Sequence, residues 1–181
     1  MQLKRYYKIG ISGHRDLLPS QMEIHFSMLK DHLLKLKRDQ KETELLILTS
    51  LAEGADRLIA QVALSLDISY DVILPMPESL YMQDFSHKSQ EEFLYYLRHA
   101  HAKDTIQFYA ANTYSLISKP SIYRDFQYRQ VGRHIVDMAD EMIIMTNGIE
   151  NGKMGGTNDI ASYAQSCDKI INTIWCDRLC A

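Results

Sequence analysis

Three short stretches combine glycine with charge and hydroxyl groups: "SGHRD" at 12–16, "TSLAEGADRL" at 49–58 and "GGTND" at 155–159. Ser12, Gly13, His14 and Arg15 end an apolar run. Ser50, Glu53, Gly54, Asp56 and Arg57 follow a second run, and Gly155, Gly156, Thr157 and Asp159 follow a third, each directly before a helical pattern. The chemistry such loops suit is anion capture. Glycine lets a backbone approach closely, a helix start offers free N–H groups and partial positive charge, and arginine adds a bidentate contact. Taken singly, each stretch also reads as a turn with a helix cap, with Asp16 or Ser20 and Thr157 as capping residues. "YRDFQYRQVGR" at 123–133 adds an aromatic-basic segment. There Tyr128, Arg124, Arg129 and above all Arg133 could stack on a base or touch a phosphate, or simply form a solvated face.

The elements that must hold these loops alternate. Strand-like runs are expected at 6–12, 44–49, 70–75, 105–109, 141–146 and 170–174. Helical periodicity covers 21–37, 55–66, 84–101, 123–138 and 157–166. Buried-type strands alternating with helices predict an α/β fold: a Rossmann-like three-layer sandwich around a mostly parallel sheet of about six strands. In such a sheet ligands bind beyond the carboxyl ends of the strands, where all three loops fall. The segment 110–122 reads as a long loop.

At 181 residues, with 46% apolar and 24% charged residues, the chain has the make-up of one globular domain spanning 1–181. A net charge of −3 disfavours a nucleic-acid or anionic-membrane partner. No apolar run approaches bilayer length, and the N-terminus does not read as a secretory signal, so a cytoplasmic location is expected. Cys167, Cys176 and Cys180 match neither a disulfide framework nor a common zinc spacing. His25, His32, His99 and His101 suit packing or surface roles, which leaves His14 as the histidine of the candidate site. No metal and no cofactor is expected. No G-x-G-x-x-G, no G-x-x-x-x-G-K-[ST] and no nucleophile elbow occurs.

"GISGHRD", "TSLAEGADRLIAQVAL", "VILPMP", "YRQVGRHIVDMADEMIIM" and "GGTNDIASYA" occur in an order that resembles the SLOG superfamily. This Rossmann-like group includes the DNA-processing protein DprA and the LOG phosphoribohydrolases. The likeness runs from about Lys8 to Ile174, and "SLAEGADRLIAQVAL" is its most specific piece. It implies binding of a nucleotide or phosphorylated nucleoside. Gly13, Gly54, Gly155, Gly156 and Thr157 would cradle phosphate, Arg15, Arg57 or Arg133 would neutralise it, and Glu53, Asp56 or Asp159 would hold ribose hydroxyls. The LOG hydrolases carry "P-G-G-x-G-T-x-x-E". Here Met154 stands in place of the proline and Ile160 three residues after Thr157. Sensing of a nucleotide is therefore the first expectation. A nucleotide hydrolase using Asp159 or Glu53 is the alternative, and DprA-like single-stranded DNA binding is less favoured. A homo-oligomer is left open.

Overall fold

The computed structural model describes residues 5–108, 113–149 and 152–179. Six strands form one all-parallel sheet in the order β4-β3-β2-β1-β5-β6. They are β1 (Tyr6–Gly13), β2 (Glu44–Thr49), β3 (Ser69–Leu74), β4 (Ala102–Thr105), β5 (Glu141–Thr146) and β6 (Ile170–Trp175). The helices are α1 (Met22–Asp39), α2 (Ala55–Ser65), α3 (Glu78–Tyr81), α4 (His87–His99), α5 (Tyr114–Ile117), α6 (Ile122–Met138) and α7 (Thr157–Ser166). The α/β Rossmann-like class expected from the alternation is the class observed.

Both faces of the sheet are covered, which is why "ELLILT" and "EMIIMT" are apolar without alternation. Successive side chains still go to opposite sides. Leu45 and Ile47 of β2 pack with Ile9, Ile143 and Met145 under α1, α2 and α4. Leu46 and Leu48 pack with Met142, Ile144, Val131 and Ile160 under α6 and α7. The chain winds outward from β1 to β4 across one face, then returns through α6 to β5 on the other side of β1. The winding direction therefore reverses between β1 and β5, and a crevice opens there beyond the strand ends.

Two expectations are corrected. The strand expected at 105–109 lies earlier, at Ala102–Thr105, and all four of its residues are exposed. Ladder bonds from His101 N–H to Tyr70 C=O (2.8 Å) and from Ile106 N–H to Leu74 C=O (3.0 Å) select that segment. The apolar residues Ile106 and Phe108 pack beside the core as loop residues. The long helix expected at 84–101 begins at His87, because the Ser86 hydroxyl caps it by accepting the Ser89 N–H at 3.3 Å. α5 interrupts the expected loop at 110–122, whose first residues, 110–112, lie outside the described ones. Cys180 also lies outside them; Cys167 and Cys176 are free thiols.

Candidate functional site

A cleft of about 490 Å³ lies at the β1/β5 reversal. One wall is the end of β1 and the residues after it, Ser12 to Asp16. A second is the turn from Lys153 to Asn158 that starts α7. Ser50, Ala52 and Asp56 close a third side, and α6 contributes Arg124, Asp125, Tyr128 and Gly132. Ile11, Val131, Ile135 and Ile160 form an apolar floor.

The α7 wall is a helix start with free backbone amides. The amides of Thr157, Asn158 and Asp159 have no acceptor among the described residues, as expected in a first turn without a side-chain cap. Gly155 has φ +70°, and a Cβ there would meet the Arg129 backbone at 2.8 Å, so only glycine lets this turn lie against α6. Asp159 holds the turn from behind. Its carboxylate accepts the Gly155 N–H at 2.8 Å and pairs with Arg129, Nε–Oδ2 at 2.9 Å and Nη2–Oδ1 at 3.1 Å. Asp159→Ala removes that bidentate pair and the amide bond together. The half-buried location scales the loss to about 1–2 kcal/mol, read as a lower denaturant midpoint at unchanged m-value.

The β1 wall carries the charge. Arg15 is exposed, with its guanidinium 5.2 Å from the Tyr128 ring centroid, and it has no carboxylate partner among the described residues. The neighbouring cations are occupied. Arg178 Nε pairs with Asp16 at 2.8 Å. Arg124 pairs with Asp84 at 2.9 Å and donates to the carbonyls of Leu80 and Ile117. Tyr128 donates its hydroxyl to Asp84. His14 is buried, which lowers its pKa, and its Nε2 lies 3.0 Å from Asn147 Oδ1 and 3.1 Å from the Asn147 backbone nitrogen. The imidazole thereby braces β1 against the segment after β5.

The β2–α2 loop is built differently from the expected phosphate cradle. The buried Asp56 carboxylate itself occupies the anion position. It accepts from the Ser50 N–H at 3.0 Å and the Thr49 hydroxyl at 3.1 Å. Burial outweighs these bonds and pushes its pKa up to about 6. Gly54 sits behind the cleft with φ +74°, in contact with the main chain of His14 and Arg15.

Five expected ligand residues do not line the cleft: Gly54 and Asp159 lie behind it, and Arg57, Glu53 and Arg133 are engaged elsewhere. Arg57 is buried beside α4, donating to Leu51 C=O at 3.1 Å, Ser89 at 2.8 Å and Glu92 at 2.7 Å. Glu53 accepts from the Ser89 hydroxyl in the same network. Arg133 stacks on Tyr163, 4.6 Å from the ring centroid. In their place the cleft uses Tyr81, Asp84, Arg124, Asp125, Tyr128, Lys153 and Arg178. Arg124 and Tyr128 were signalled as members of the aromatic-basic segment. Asp16 and Arg178 stand 162 positions apart, and nothing local joins them.

No family model and no curated protein matches the sequence. Among solved structures, the chain is similar to DNA processing protein A (DprA) from Streptococcus pneumoniae, with TM-score 0.58 and 14% identity over 93% of this chain and 50% of that one. It is also similar to DNA processing protein A from Helicobacter pylori, a structure described for its single-stranded DNA binding mode. That likeness has TM-score 0.54 and 15% identity over 92% of this chain and 64% of the other. The chain thus spans half of the first structure and under two thirds of the second. At these identities the shared property is the fold, which is the fold the SLOG resemblance implies.

Proposed function

We propose that this domain binds a nucleotide or phosphorylated nucleoside derivative at the β1/β5 cleft. The observation that carries the reading is the pairing of an uncapped α7 start with Arg15, a guanidinium with no carboxylate ion pair among the described residues, on opposite walls of one cleft. A phosphoryl group between them would meet amides on one side and a planar cation on the other. The Tyr128 ring and the apolar floor give a nucleoside a surface beside it. Glu53 and Asp159, the candidate acids, are held in structural hydrogen bonds, which favours binding over hydrolysis. The cleft's carboxylates offset its cations, which favours a small anion over a long strand.

The test is a thermal-shift and calorimetric panel of nucleoside mono-, di- and triphosphates. A ligand at 100 times its Kd adds about 2.7 kcal/mol, and so raises Tm by roughly 5–11 °C. Arg15→Ala is expected to weaken binding by about ten- to a hundredfold, while unliganded stability stays within about 1 kcal/mol of wild type. A panel in which no phosphate compound stabilises the protein overturns the proposal. Tight binding of oligonucleotides alone, with a steep salt dependence, replaces it with a strand-binding reading.

A further inference from the structure

Among the described residues β6 ends the sheet, and nothing on the strand protects its free edge. Edge strands are normally blunted by charge, proline, a bulge or a covering loop, because their open N–H and C=O groups recruit another strand. "IINTIW" has neither charge nor proline and runs in unbroken parallel register with β5 over all six residues. Its ends are apolar and open: Ile170 is 61% and Trp175 67% exposed. Beside Trp175, Ile24 and Met28 of α1 are also exposed, and the three line one shallow cavity of about 330 Å³. From this edge we infer that a second copy of the chain pairs with β6 antiparallel across a two-fold axis, joining two six-stranded sheets into one.

Symmetry restricts the register. Residues facing each other across an antiparallel pair point to the same side, and a two-fold through the sheet preserves sides. The axis must therefore pass through a residue opposite its own copy. With Thr173 on the axis, Ile171 faces the partner's Trp175, and Lys169 faces the partner's Asp177. Every contact occurs twice. Lys169 donates to Ala139 C=O at 2.7 Å and lies 3.4 Å from Asp137 C=O, which leaves an ammonium proton for the carboxylate. Asp177 is exposed. Charge complementarity of this kind selects a second copy over an unrelated strand.

Sedimentation velocity on the intact chain tests this. Wild type is expected at twice the chain mass at micromolar concentration. Trp175→Lys, Lys169→Glu and Asp177→Lys are each expected to weaken the dimer by about tenfold or more. The double variant Lys169→Glu/Asp177→Lys, with the charges exchanged, is expected to recover most of it. Thermal melts of each variant separate loss of pairing from loss of fold. A wild-type monomer at high micromolar concentration overturns the inference. So does a dimer indifferent to all three substitutions, or an exchanged pair that fails to recover.

Discussion

Gly54→Ala is expected to lower stability by roughly 3 kcal/mol or more, a fall in Tm of roughly 6–12 °C for a chain of this size. Gly54 has φ +74° and ψ −119°, a region that side-chain-bearing residues essentially do not occupy. A Cβ at this position would stand 2.3 Å from the His14 carbonyl oxygen and 2.5 Å from that of Arg15. Both obstacles are backbone, so no rotamer change relieves them. The loop would have to retreat from β1, and the Ala55 N–H would lose its 3.1 Å bond to His14 C=O. Gly152→Ala is the control. Its φ is +61°, yet its Cβ would have open space, so only the backbone preference is lost, about 1 kcal/mol. Equal losses at the two positions, measured by denaturant titration, would show that loop contact does not set the cost at Gly54. The same substitution should blunt ligand binding, because the displaced main chain is the segment that aims Arg15.

The sheet was legible in the sequence because burial on both faces leaves unalternated apolar runs, and helices of ten or more residues between them leave no simple alternative to parallel strands. β4 was not legible: a four-residue edge strand of wholly exposed residues is chosen by the ladder of β3, not by its own composition. The three loops were legible for a similar reason, since residues following parallel strands collect at one sheet edge whatever they are. Which arginine enters the cleft was not. Position along the chain places Arg57 in the first turn of α2, but the helix rotation sends it toward α4 and Phe85, 4.7 Å from that ring's centroid. On α6, the helix rotation that presents Arg124 and Tyr128 to the cleft sends Arg133 to Tyr163. A sequence shows such a rotation only through the apolar stripe, and the stripe of α6 is narrow, with Val131, Ile135 and Val136 as its buried apolar residues. Pairs such as Asp16–Arg178 require the tertiary fold before either partner can be assigned.

Asp56→Asn is expected to change the pH dependence of stability by roughly 3 kcal/mol. The wild-type carboxyl titrates near 6 in the fold, against an ordinary 3.8, because burial disfavours the ionised form. The folded chain thus holds a proton that the unfolded chain has released between those two values. Stability contributed by this group is fully present below about pH 3.8 and lost as pH rises through about 6; two units at 1.36 kcal/mol each give roughly 3 kcal/mol. Asparagine cannot ionise, so its variant lacks this slope. The variant's stability relative to wild type should therefore improve with rising pH over that window, as urea titrations at pH 4, 5, 6 and 7 would record. A constant difference would show that Asp56 keeps an ordinary pKa despite its burial. The same proton reaches the cleft, because Asp56 lines it and its carboxylate interacts electrostatically with Arg15. When Asp56 is ionised it offsets part of the guanidinium charge that an entering phosphate would meet; when it is protonated that charge stands alone. Binding of an anionic ligand should accordingly tighten as pH falls through 6 in wild type, with uptake of a proton, and this component should vanish in Asp56→Asn. Calorimetry in buffers of different ionisation enthalpy reads the proton directly. An uptake unchanged by the substitution would assign it to the ligand's own phosphate, whose second ionisation lies in the same range.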